Sequence, residues 1–153
     1  LECRIRVVSL GSHRAVLASE RIGEGEVVLQ VHGVLVGAPD RYSIQVGEDR
    51  HLAGPPGLPP EDRVAEYGWR FLNHSCDPNS VLRGHFLVAR QEIQGGMEVT
   101  FDYNTTEWEM SHPFRCMCGA ETCVGLVAGF RHLDDVTRAR LLPWASDHLR
   151  AMI

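Results

Sequence analysis

The chain has no lysine: all 15 of its basic residues are arginine. A GC-rich coding bias accounts for this without any functional reason. Also missing is any apolar run near the roughly 20 residues needed to span a bilayer. The opening LECRIRVVSLGSHR has no long apolar stretch of the kind a secretion signal carries. Neither a membrane protein nor an exported one is expected. Internal repeats and low-complexity tails are absent too, so 153 residues at 44% apolar content read as one globular domain with a single core. An excess of positive charge is lacking as well. The net charge of −5 argues against a binder of nucleic-acid phosphates and mildly favours a basic peptide as partner.

Cysteine is scarce but clustered. Three of the five fall within eight residues as C-x-C-x4-C at Cys116, Cys118 and Cys123. Thiols one residue apart are poorly placed to bridge each other, so this spacing reads as a metal site more readily than as disulfides. Zinc takes four ligands, so a fourth must come from elsewhere in the chain. Cys3 is expected to be a small core filler in an apolar strand. Free thiols imply a reducing, intracellular compartment.

Along the chain, strands are expected at residues 4–8, 15–18, 27–31, 34–36 and 42–46, the last with a hairpin tip at Gly47-Glu48-Asp49. Further strands are read at 81–82, 86–89 and 97–101. Many short strands with regular turn signals make the chain mainly β. The run AGPPGLPP at 53–60 is irregular, and Pro60 with the acids after it opens a short helix through about Tyr67. A second helix is expected over 132–142, stopped by Pro143, with apolar residues at 133, 136, 139 and 142. A third, from about Ser146, should turn Leu149 and Ile153 inward.

The most unusual stretch is RFLNHSCDPN, Arg70 to Asn79. It packs Asn73, His74 and Cys76 between an apolar pair and an Asp-Pro turn, which suits a tight irregular loop holding a site. Together with VTFDYN at 99–104 and CMCGAETCVG from Cys116, it resembles the SET-domain protein lysine methyltransferases. The three runs look like that family's NHSC motif, its FDY motif and its cysteine-rich post-SET segment, in the family's order. The resemblance covers about Leu10 to Gly125.

The resemblance implies a SET fold of small curved β-sheets with a C-terminal pseudoknot, a few short helices and a zinc-binding post-SET segment. The SET domain would span 1–110, the post-SET segment 111–127 and a helical extension 128–153. The pseudoknot would bring Asn73 beside Tyr103 across thirty residues. Cys76 becomes the fourth zinc ligand with Cys116, Cys118 and Cys123, tying the flap to the loop. The implied activity is methyl transfer from S-adenosylmethionine, leaving S-adenosylhomocysteine, to the side-chain amine of lysine in a protein or peptide such as a basic histone tail. Avoidance of self-methylation then becomes a second account of the missing lysines.

Residue by residue, Tyr103 would orient the amine and the transferred methyl. Tyr42 would line the channel and touch the cofactor. Phe101, where the family carries Phe or Tyr, would leave room for products beyond monomethyl-lysine. Arg70 would meet the cofactor carboxylate or brace the loop, and Phe114 would pack near the cofactor or the acceptor channel. Asn73 and His74 would face the cofactor, as would His13, Arg14 and Ala15. Those last three stand where the family has a G-x-G, and neither glycine is present. A zinc-stapled interaction module with a degenerate cofactor pocket is therefore the alternative reading. The Pro-rich insert is short for the family, which implies a more open substrate groove. The remaining histidines and Asp102 read as structural.

Overall fold

The structure is a computed structural model and describes residues 3–59 and 63–153. Among the described residues, twelve short strands fall into five small sheets. β1 (Ile5–Leu10) and β2 (His13–Ala18) form an antiparallel hairpin paired from Ile5↔Ala18 to Leu10↔His13. Its two-residue turn begins at Gly11, whose φ of 65° is a conformation that glycine adopts without strain. β3 (Val27–Gln30), β8 (Ser80–Arg83) and β9 (Phe86–Ala89) make a sheet in the order β3-β9-β8. β4 (Val34–Val36), β5 (Ile44–Gly47) and β6 (Arg50–Ala53) make another, ordered β4-β6-β5.

The remaining pairs connect distant parts of the chain. β7 (Asn73–His74) runs parallel to β10 (Thr100–Phe101), with Thr100 opposite Asn73 and Phe101 opposite His74. β11 (Phe114–Arg115) pairs antiparallel with β12 (Leu126–Val127). Helices are short: α1 (Val64–Tyr67), α2 (Asp135–Leu141) and α3 (Asp147–Met152), with single 3-10 turns between elements.

One apolar cluster gathers Val16, Ile22, Leu87, Ile93 and Val99, all without exposure, with Trp69, Phe71 and Phe101 toward the site. A second packs Phe130, Leu141, Ala145 and Leu149, with Trp108 and Leu133 against it. The expectation of a single core therefore becomes two clusters, the smaller one anchoring the C-terminal helices. Burying these side chains contributes roughly 1.5–3 kcal/mol each.

Several expectations are corrected. Strand β5 starts at Ile44 rather than Tyr42, because the Asp40 carboxylate accepts N–H bonds from Tyr42 (2.7 Å) and Ser43 (2.8 Å) and curls that segment into a turn. Of residues 97–101 only Thr100–Phe101 joins a ladder; Glu98 makes an isolated bridge to Leu17. Asn73 and His74 sit in a strand pair, not in an irregular loop. Pro60 and its two following acids lie outside the described residues, and the helix there is the single turn of α1. Cys3 is exposed, ahead of β1, where a core filler was expected. Val136 is 80% exposed and Ile153 is 63% exposed. Neither joins the buried face: α2 has seven residues and turns Leu141 inward, while α3 turns Leu149 inward.

Candidate active site and thiol cluster

The parallel pairing of β7 with β10 sets the geometry of the site. It brings Asn73 and His74 alongside Thr100 and Phe101, so the chain leaving β10 passes His74 within one residue. Tyr103 opens a 3-10 turn capped by Asp102, whose carboxylate accepts the N–H of Asn104 at 2.9 Å. The backbone N–H of Tyr103 donates to Nδ1 of His74 at 3.1 Å. Nδ1 is thereby an acceptor, which places the ring proton on Nε2, 3.2 Å from the sulfur of Cys76. Burial pushes the imidazole pKa down to about 4 and holds it neutral. The same burial raises Asp102 to about 6.

The Tyr103 phenol donates to the backbone carbonyl of Leu72. Burial, reinforced by the Glu107 and Glu98 carboxylates, pushes its pKa above the ordinary value, so the hydroxyl stays neutral. Around it stand Phe101 (ring centroids 5.0 Å apart), His74 (5.3 Å) and Phe114 (5.9 Å). Phe114 also meets the His74 ring at 5.8 Å. The segment after Met110 thus folds back over the β7–β10 pair.

Two cavities meet at this tyrosine. A broad cleft of about 540 Å³ is lined by His13, Arg14, Tyr42, Arg70, Asn73, His74, Tyr103 and Phe114 among others. A narrow cavity of about 40 Å³ shares Tyr42, Arg70, Leu72 and Tyr103 with it and is completed by Phe101, Trp69, Ile44 and Glu107. Seven of the eight residues expected at a cofactor therefore line one cleft. Ala15 does not: it is fully buried in β2. Gly11, at φ 65°, lines the cleft two residues before His13, so the chain turns tightly there without the expected glycine pair.

The side chains of Asn73 and His74 point to structural work rather than into the cleft. The Asn73 amide donates to the carbonyl of Arg14 and to the Glu98 carboxylate, each at 2.8 Å. Both His74 ring nitrogens are engaged internally, which leaves its main chain as the part available to a ligand. Arg70 lies over the Phe71 ring at 5.1 Å and donates through Nε to the carbonyl of Tyr67. One of its terminal nitrogens is buried with no hydrogen-bond partner among the described residues.

The sulfurs of Cys76, Cys116, Cys118 and Cys123 lie within 4.8 Å of one another, with Cys76 and Cys116 at 3.9 Å. A zinc ion at about 2.3 Å from each of four thiolates requires sulfurs about 3.8 Å apart, so this donor set fits it. Thr122 donates to the carbonyl of Cys76 and Cys116 N–H to that of Gly125, which holds the loops in register.

Sequence reasoning missed Glu107, which is buried beside Tyr103, and the role of Gln45. The Gln45 side chain receives the N–H of Trp108 and donates to the carbonyls of Gly47 and Glu48. The signal that could have found Glu107 is a carboxylate four residues after the tyrosine, one helical turn on, directly behind the Thr105-Thr106 pair.

A model described as the SET domain matches residues 13–104. That is more than half the chain and includes both the β2 strand and Tyr103. The chain belongs to the SET-domain family. It is 33% identical over 87 residues to methyltransferase flvH of Aspergillus flavus, covering 54% of this chain and 48% of that protein. It is 39% identical over 77 residues to the Yarrowia lipolytica histone-lysine N-methyltransferase specific for H3 lysine 36, covering 45% of this chain and 10% of that one. The SET chain thus spans half or less of the length of these curated relatives. Among solved structures, the methyltransferase domain of human histone-lysine N-methyltransferase SETMAR superposes with a TM-score of 0.62 at 19% identity. That superposition covers 84% of this chain and 59% of that one. KRYPTONITE, solved with mCHG DNA and SAH, gives 0.56 at 25% identity over 77% and 27% of the two chains. The mainly β architecture with few short helices is the fold of these SET methyltransferases.

Proposed function

We propose that this SET domain transfers a methyl group from S-adenosylmethionine to the side-chain amine of lysine in a protein or peptide. The observation that carries the reading is the meeting at Tyr103 of a broad cleft and a narrow aromatic-walled cavity. The cleft volume suits a nucleoside-sized ligand. The buried nitrogen of Arg70 that has no partner among the described residues suits the carboxylate of an amino-acid moiety. When bound, the cofactor supplies a sulfonium methyl open to in-line displacement.

The protein's own residues then have defined tasks. A lysine ammonium titrates near 10.4, so about one in 10³ is neutral at pH 7, and desolvation in the narrow cavity favours the neutral amine. Tyr103, neutral and anchored on Leu72, orients the nitrogen beside the cleft. Tyr42, at the shared wall, guides the chain inward. Phe101 carries no hydroxyl and holds no water there, which leaves space for a second and third methyl. Asn73 and His74 brace the cleft by tying β2 and the FDY segment together. Zinc on Cys76, Cys116, Cys118 and Cys123 would clamp the flap that carries Phe114 over the tyrosine.

Histone-lysine methyltransferase relatives, and a KRYPTONITE structure solved with an H3(1-15) peptide, favour a basic peptide as acceptor. The net charge of −5 agrees with that choice and not with direct nucleic-acid binding. The alternative of an interaction module with a degenerate pocket rests on the missing G-x-G, and the open cleft at Gly11 supports the methyl-transfer reading over it. Methyl transfer from labelled cofactor onto an array of lysine peptides, with Tyr103→Phe as control, tests the proposal. Label on lysine that the variant loses at least a hundredfold is the expected result; no label above background for the wild type on any peptide overturns it.

A further inference from the structure

Two carboxylates are buried beside the tyrosine: Asp102 is spent on capping its turn, while Glu107 lines the narrow cavity and the tasks assigned above do not use it. The N–H of Glu107 donates to the carbonyl of Tyr103 at 2.9 Å, closing a helical turn. Residues four apart on such a turn share a face, so both side chains reach the same narrow cavity. One carboxylate oxygen, Oε2, is fixed by the N–H of Gln45 (3.0 Å) and the hydroxyl of Thr106 (2.6 Å). No donor among the described residues is bonded to Oε1. The residue is only 7% exposed and lines the narrow cavity, so the accessible part of this carboxylate is turned to that cavity.

We propose that Glu107 receives the acceptor's ammonium group in the narrow cavity and takes its proton before methyl transfer. The chemistry rests on the methyl-transfer reading; the ammonium site does not. One N–H bond of the acceptor R–NH3⁺ breaks and its proton passes to Oε1. The freed lone pair attacks the sulfonium methyl carbon, the C–S bond breaks with its electron pair on sulfur, and R–NH2CH3⁺ forms beside a neutral thioether. Burial raises the Glu107 carboxyl to about 7, which matches the pH at which a general base works best. It also explains how an acceptor with three protons becomes nucleophilic beside a phenol that stays neutral.

The other charged or titratable groups facing this cavity are Asp40, Arg41 and Tyr42 before β5, Arg70 on its 3-10 turn, and Tyr103. From α3, His148 bonds the carbonyl of Thr106 beneath it. Asp40 is committed to the backbone of Tyr42 and Ser43. Glu107 is thus the acid placed to respond to an ammonium ion.

The test is calorimetric titration of n-butylammonium into zinc-loaded protein saturated with S-adenosylhomocysteine, for wild type and Glu107→Gln at pH 8. The expected result is at least tenfold weaker binding by the variant, and wild-type affinity that falls at least fivefold between pH 8 and pH 5.5. Equal affinity of the two proteins overturns the proposal. Where the variant does not fold, wild-type affinity that is flat across that pH range overturns it alone. Absence of heat with S-adenosylhomocysteine would sink the methyl-transfer reading separately, because the butylammonium comparison can be run without it.

Discussion

Replacing Asn73 tests the brace on which the site depends. Its amide nitrogen donates to the carbonyl of Arg14 in β2 and to the Glu98 carboxylate, both at 2.8 Å. A neutral hydrogen bond contributes about 1 kcal/mol and one to a charged partner about 1.5–3. Asn73→Ala should therefore cost about 3 kcal/mol. For a chain of this length that lowers Tm by about 6–12 °C. Asn73→Asp keeps the shape but sets a carboxylate against a carbonyl and a second carboxylate, so it should cost more than alanine, which admits water. Urea and thermal unfolding followed by circular dichroism measure both. S-adenosylhomocysteine titration should show the cleft weakened at least tenfold in each variant. An aspartate variant as stable as wild type would refute the reasoning, since it would mean that the amide's two donors hold nothing.

Other consequences follow from the same geometry. Chelating the metal, or Cys76→Ser, should abolish methyl transfer while far-UV circular dichroism stays largely native, because none of the four cysteines belongs to either apolar cluster; loss of the whole spectrum would contradict it. Phe101→Tyr should shift the product toward monomethyl-lysine, read by mass spectrometry at long times, and an unchanged product mixture would count against the assigned space. The buried Glu107 carboxyl holds its proton up to about pH 7, against an ordinary 4.5. Between those values the folded state binds more protons than the unfolded, so stability falls as pH rises through that window, by at most about 3 kcal/mol. Glu107→Gln lacks this loss, so its stability should exceed that of wild type increasingly from pH 5 to pH 8. Asp102, His51 and His148 titrate in both proteins and cancel in the difference.

Much of the site was legible because its chemistry is written locally. Three cysteines in eight residues, an Asn-His pair before Cys76 and an FDY run each stand out against ordinary strand composition, and the resemblance supplied the long-range meeting that spacing alone does not. What the sequence concealed are interactions made by residues of common type. His74 reads as a ligand from its motif, yet its ring is consumed between Tyr103 N–H and Cys76. Val136 falls on a helical period, but α2 is too short to bury a full stripe, and Leu141 takes the buried place. Tyr42 reads as the start of an alternating strand until the Asp40 carboxylate curls it out of the sheet. Trp108 carried no signal of its own: it stacks on Phe130 with ring centroids 6.3 Å apart, a contact set by the second apolar cluster. Glu107 was hidden for a similar reason, since burial of one acid among twenty Asp and Glu residues is a tertiary property.

The most direct measurement is calorimetric titration of S-adenosylhomocysteine into the zinc-loaded chain. One molecule bound per chain with micromolar or tighter affinity is the expected result, weakened when Arg70 is replaced by alanine. No heat at any concentration tested would contradict a cofactor cleft at Tyr103.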